Sequence, residues 1–107
     1  MSAVQHTPGP WPLEPTGDYK RWIVGKGLIE GPRGYDLAEV YSDDCDPVEA
    51  EANARLIAAA PELFEAVRLF LAYDAGDMDD GAAMMIAYAE ARSAAIAANA
   101  KASGEVA

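Results

Sequence analysis

Apolar and polar positions alternate along the early part of the chain, and a helical period takes over near residue 46. The run KRWIV (Lys20 to Val24) is short and β-prone. YDLAEVY alternates, with Tyr35, Leu37, Glu39 and Tyr41 on one face and Asp36, Ala38 and Val40 on the other. Neither face is cleanly apolar, so the pattern leaves the inward side open. Gly25 and Gly27 punctuate the first run, LIE (Leu28 to Glu30) is placed to pair back on it, and GPRG (Gly31 to Gly34) is a turn. Links this short exclude crossovers, so residues 19–42 predict an antiparallel meander of about three strands. Upstream, Pro8, Pro10, Pro12 and Pro15 exclude a helix and a central strand from residues 1–18, leaving an extended arm with Trp11 as its anchor.

The helical part, residues 46–100, opens with strong capping chemistry. Asp46 suits the N-cap, Pro47 the first helical position and Glu49 the third, as in a capping box. Val48, Ala52, Leu56 and Ala59 or Ala60, with Ile57 beside them, recur at helical spacing and predict the buried stripe. Pro61 removes a donor and disfavours α geometry at Ala60, so the helix should stop there and a second should restart with Glu62 in its first turn. Leu63, Phe64, Val67, Phe70 and Leu71 form the apolar face of that second helix, and Gly76 ends it. Asp79 or Asp80 caps a third helix from about Gly81 to Ala98, with Met85, Tyr88, Arg92 and Ile96 along one side. Residues 101–107 should fray. The expected fold is a single α+β domain over residues 1–107, a small antiparallel meander packed against two to three C-terminal helices.

Composition narrows this picture. About half the residues are apolar, but many are alanine, so the core rests on a short list. Its members are Trp11, Trp22, Ile23, Val24, Leu28, Ile29, Leu37, Val40, Leu56, Ile57, Leu63, Phe64, Val67, Phe70, Leu71, Met85, Tyr88 and Ile96. Such a core is modest for 107 residues, which predicts a homo-oligomer. The net charge of −10 is shared by both halves and argues against direct contact with nucleic acid, which needs clustered cations. It permits a basic protein partner. The start MSAVQHTPGPW does not read as a signal peptide, and no apolar run approaches a membrane span, so the expected place is the cytoplasm.

Catalytic and metal chemistry find little support. Gly25-Lys26-Gly27 lacks the remainder of a phosphate loop. DAGDMDDG looks calcium-like, but with Gly81 at the sixth place of such a loop, Gly76, Met78 and Ala87 fall where ligands belong. One His and one Cys make a zinc site within one chain implausible, so no metal and no cofactor is expected. Cys45 sits among Asp43, Asp44 and Asp46, which disfavour a thiolate. The expectation is a protein that binds and does not catalyse.

HTPGPW (His6 to Trp11), a short strand region, then ANARLIAAAPELFEAV (Ala52 to Val67) resembles a large group of small phage and prophage proteins. Phe64 and Val67 stand where that group usually has leucine. The resemblance implies a phage accessory protein acting in a host bacterial cytoplasm. Some phage anti-defence proteins sequester nucleotide second messengers of host immunity, and the Thoeris inhibitors are similar in expected architecture. On that reading Arg55, with Arg33 or Arg21, holds phosphates, Asn53 reads a base edge, and Trp11, Trp22 or Tyr35 stacks. The plainer role of Arg55 is an ion pair with Glu51 one helical turn away. Two alternatives belong to other classes. One is an acidic inhibitor of a basic host protein, such as a CRISPR effector, acting through Asp43, Asp44, Asp46, Asp77, Asp79 and Asp80. The other is a structural dimerisation module built on the alanine-rich third helix.

Overall fold

The computed structural model describes residues 6–15, 21–25, 37–41, 46–76 and 79–104. Strands β1 (Leu13–Pro15), β2 (Arg21–Val24) and β3 (Ala38–Tyr41) precede helices α1 (Pro47–Ala58), α2 (Ala60–Asp74) and α3 (Gly81–Ser103). The architecture is the expected α+β arrangement, with a three-stranded antiparallel sheet in the order β1-β2-β3. Leu13 pairs with Val24, and Trp22 with Val40.

The first strand comes from the proline-rich arm, which the pattern marked only as extended. Pro15 fits there because β1 is an edge strand and needs hydrogen bonds on one side only. Both edges of β2 are therefore taken, by β1 and β3. The strand expected at Leu28 to Glu30 lies outside the described residues. In β2, successive side chains point to opposite faces, and Ile23 and Val24 are both buried.

Local chemistry sets the helix ends. The Asp46 carboxylate accepts from the Val48 N–H at 2.8 Å, Pro47 opens α1, and Glu49 stands in the first turn. Ala59 is both the last cap of α1 and the entry to α2, with Pro61 in the first turn, where its missing N–H costs nothing. The Asp80 carboxylate accepts from the Ala83 N–H at 3.0 Å and starts α3. That helix runs to Ser103, five residues beyond the expected end, because Gly104 takes a left-handed conformation at φ +78° and closes it. Residues 101–103 are thus helical, not frayed. At the far end, α2 stops at Asp74 with Ala75 as its cap, and Gly76 lies against the Met84 sulfur.

The buried faces differ from the expected ones. On α1 the buried residues are Ala50, Ala54 and Ala58, one turn apart, while Val48, Leu56 and Ile57 are exposed. This alanine line is the side on which α1 meets β2, β3 and α3. On α3 the inward line is Met84, Ala87, Ala91, Ala94, Ala98 and Lys101, at alternating spacings of three and four. On α2 it is Glu62, Ala66, Leu69 and Tyr73. The two lines run antiparallel: Lys101 meets Glu62 at one end, and Met84 meets Gly76 at the other. Alanine wins the inner positions because a small side chain lets backbones approach closely. The larger residues that the hydrophobic pattern marked as core are displaced outward. Phe64, Val67, Leu71, Met85, Tyr88 and Ile96 are all exposed, and Trp11, Trp22, Leu37, Val40, Leu63 and Phe70 are half-buried. Leu28 and Ile29 lie outside the described residues.

Enlarging the seam should therefore cost stability. Ala91→Leu and Ala98→Leu replace fully buried alanines, and each is expected to lower the unfolding free energy in urea by about 1–3 kcal/mol. Ala82→Leu, on the exposed side of the same helix, is expected to change it by less than about 0.5 kcal/mol.

Candidate functional site

The two sequence motifs touch in space. The arm lies across the break between α1 and α2, where Gly9 rests on Pro61; a Cβ on Gly9 would stand 2.7 Å from the Pro61 Cβ, so only glycine allows this approach. The His6 ring meets Phe64 edge-on at 5.2 Å and Trp11 at 6.3 Å. The Trp11 indole N–H donates to the Thr7 carbonyl at 3.0 Å, which folds the arm back on itself. HTPGPW thus acts as a clasp over the Pro61 junction.

Two clefts open beside this clasp. One, of ≈ 430 Å³, is lined by Pro10, Trp11, Pro12, Leu13, Arg55, Ala58 and Lys101. The other, of ≈ 600 Å³, lies between His6, Pro61, Glu62 and Phe64 on one side and Ala94, Ala97 and Lys101 on the other. Lys101 borders both, and its ammonium donates to both Glu62 carboxylate oxygens at 3.0 and 3.1 Å. Arg55 pairs with Glu51 at 3.1 Å, as its spacing suggested, and its side chain also lies against Gly104. Both cations sit at the C-terminal end of α3, the negative end of the helix dipole. Each pair is about a third exposed, so each contributes no more than about 1 kcal/mol. An anion entering here competes with Glu51, Glu62 and the carbonyl end of α3. At the rim of the larger cleft, hydrogen bonds from Arg68 hold the Glu65 carboxyl below its usual range.

Of the residues expected to bind a nucleotide, Trp11 and Arg55 meet at one cleft, and Lys101 joins them unannounced. Asn53 is exposed and is not part of that cleft, since residues two apart on a helix do not share a face. Trp22 is half-buried in β2, opposite Val40. Arg21 enters β2 opposite Tyr41, but its side chain lies outside the described ones. Arg33 and Tyr35 also lie outside the described residues, as do Cys45, Asp43, Asp44 and Asp77. Asp46 and Asp80 are engaged as helix caps. Among the described residues no group of three His, Cys, Asp or Glu is placed to hold a metal ion.

A second candidate surface is the outside of the α2–α3 hairpin. Val67, Leu71 and Asp74 share one side of α2, and Met85, Tyr88, Arg92 and Ile96 share one side of α3. Because the helices run antiparallel, both sides face the same way. The Tyr88 ring joins them, 6.4 Å from Phe70 and 5.5 Å from Tyr73. Shallow grooves run along this face beside Tyr88, Ala89 and Arg92. The sequence pattern found the stripe on α3 and assigned it to the core. The signal for the opposite orientation was the competing alanine repeat.

Gly104 ties the first site together. Gly104→Ala puts a methyl group 2.8 Å from Arg55 Nη1 and strains a left-handed backbone, and should cost about 1 kcal/mol. In thermal unfolding, Arg55→Ala should relieve part of that cost, so the double variant is expected to lose less than the two single losses combined.

The family model described as Salmonella phage P22 protein Y8K6 matches residues 1–106. No curated protein and no solved structure matches the chain. No helix among the described residues is long and apolar enough to cross a membrane. The match covers nearly the whole length, in agreement with the expected phage origin, and the chain belongs to the Salmonella phage P22 protein Y8K6 family, a family of phage proteins.

Proposed function

We propose that the chain is a non-enzymatic phage accessory protein that works as a helical association module. The observation that carries this reading is the inverted packing of the hairpin, with alanine inside and large apolar side chains outside. Leu71 is 64% exposed and Met85 75%. Monomeric proteins rarely leave such residues grouped on one face. Val67, Leu71, Met85, Tyr88 and Ile96 are each roughly half to three-quarters exposed, so covering what remains is worth on the order of 5 kcal/mol at about 1.5–3 kcal/mol for each full burial. That is comparable with the whole stability of a small domain. The shape agrees: the radius of gyration is 17.0 Å, against about 13 Å for a compact domain of this length.

A second reading, sequestration of a nucleotide, keeps one observation in its favour: Trp11, Arg55 and Lys101 meet at one cleft. It has to overcome Glu51 and Glu62, which already pair with the two cations. The acidic-inhibitor reading keeps the net charge of −10, but two of its carboxylates, Asp46 and Asp80, serve as caps.

Sedimentation equilibrium from low to high micromolar concentration tests the association reading. The expected result is an oligomer whose thermal midpoint rises with protein concentration, because association stabilises the folded state by mass action. A monomer with a constant midpoint would overturn it. The nucleotide reading is tested by calorimetric titration with a panel of cyclic nucleotides: it requires binding that Arg55→Ala abolishes, and on the association reading none is expected.

A further inference from the structure

We infer that residues 6–11 form a strap that swings open as a unit about Pro12 while the helices stay folded, and that this strap gates the groove to which Lys101 belongs. The strap shares no residue with the association face of the α2–α3 hairpin, so the inference stands apart from that reading.

Attachment is the first argument. The sheet holds the root of the arm: the Pro12 carbonyl accepts from the Gly25 N–H at 2.6 Å, and Leu13 pairs with Val24. Upstream of that point the hydrogen bonds turn inward. The Trp11 indole donates to the Thr7 carbonyl, and His6 Nδ1 lies 2.9 Å from the same oxygen. Among the described residues, no hydrogen bond joins residues 6–11 to a helix. The strap rests on the helices through Gly9 on Pro61 and the His6 ring on Phe64. Pro8 and Pro10 carry no N–H, so their movement strands no donor.

Packing is the second argument. Closely packed elements leave few gaps larger than a water molecule between them. Three clefts adjoin the strap: the two of ≈ 600 and ≈ 430 Å³, and a third of ≈ 220 Å³ lined by His6, Trp11, Ala60, Pro61 and Phe64. The strap spans space more than it fills it. Opening also exposes little. His6, Pro8, Gly9 and Pro10 already face solvent, and the strap lies over small residues, Ala58, Ala60 and Pro61. Trp11 is the one large strap side chain that loses cover. Little apolar area returns to water, which places the strap at the low end of local opening free energies.

The third argument is position. Gly9 borders the larger cleft, Pro10 and Trp11 the smaller, and Lys101 borders both. Lifting residues 6–11 removes the partition. One groove then runs from Leu13 to Ala94, with Lys101 shared by its two halves.

The test uses the full chain labelled with 5-fluorotryptophan, in which Trp11 reports the strap and Trp22 reports β2 through separate fluorine resonances. In a urea titration the Trp11 resonance is expected to reach its solvent-exposed position well before the Trp22 resonance and the helical circular dichroism change. Coincident transitions would make the arm part of the cooperative core and overturn the inference. Gly9→Ala places a methyl group 2.7 Å from the Pro61 Cβ; it should raise the open fraction about tenfold and leave the Trp22 transition in place. Phe64→Ala removes an exposed ring that His6 touches and should act in the same direction by a smaller factor. If either variant moves both resonances together, the strap does not open alone and the inference fails. Gating is read by mass spectrometry as the rate of Lys101 acetylation by acetic anhydride, with Lys20 and Lys26 as internal references. Gly9→Ala should raise the Lys101 rate several-fold relative to them. An unchanged ratio would mean that the strap moves without gating the groove, and would overturn that half of the inference.

Discussion

The alanine seam between α2 and α3 is the constraint on which the rest depends. Ala66 on one helix and Ala87, Ala91, Ala94 and Ala98 on the other hold the small positions of a three-four repeat. A seam of methyl groups brings two backbones close, near the short end of the ~8–10 Å range for packed helices. It also buries little area per residue. The structure therefore gains shape and rigidity along the seam but little hydrophobic stabilisation, and its ends are fixed by other means. At one end the Lys101–Glu62 pair bridges the helices, and at the other Gly76 packs under Met84. The same device recurs on α1, whose Ala50, Ala54 and Ala58 let that helix sit against the sheet and α3.

The seam also explains why the arm and the helix break belong together. An α1–α2 turn at Ala59 sends α2 back along α3 while α1 crosses to the sheet. Pro61 makes that turn possible, and Gly9 is the residue that lets the arm lie on it. Arg55, which the sequence offered as a ligand-binding residue, reaches the end of α3 from the neighbouring helix and meets Gly104 there. Its charge lies at the carbonyl end of α3 and beside Glu51. Both contacts hold the Arg55 side chain in place without any ligand. The motif is therefore accounted for first as a structural joint, and its shared cleft with Trp11 is secondary.

What could be read from the sequence was chemistry that acts over one turn. Asp46 before Pro47, Pro61 within an alanine run, and Asp80 before Gly81 each specify a backbone geometry through a local hydrogen bond or a missing donor. The end of α3 was also encoded locally, by Lys101 in the last turn followed by Gly104, though the tail position masked it. The inward faces were harder to read. Hydrophobic periodicity reveals a helix but weighs residues by size, and on α3 two stripes share the same period. One consists of Met85, Tyr88, Arg92 and Ile96; the other is mostly alanine. The choice between them depends on how closely α2 can approach, which is a tertiary quantity. Strand β1 was hidden for a related reason: Pro15 excludes a central strand, and only the sheet order shows that an edge was available. For the candidate site, Arg55 and Trp11 could be named from residue type. Lys101 could not, because it lies far along the chain and reaches the cleft only through the length of α3.

The distribution of charge completes the argument. Acidic residues cluster at the helix starts, where Asp46, Glu49, Glu62 and Asp80 favour the positive end of a dipole or cap its free N–H groups. Between residues 81 and 103, by contrast, Glu90 is the single acid. A chain of net charge −10 that served only its own solubility would gain by spreading carboxylates over its longest and most exposed helix. Leaving that helix nearly neutral, with its large apolar side chains outward, has a cost for an isolated protomer in water. The cost disappears once the face is covered, and like-charge repulsion is then confined to surfaces that stay apart. Small residues inside, large residues outside and few charges on the same helix are together what the proposed association needs.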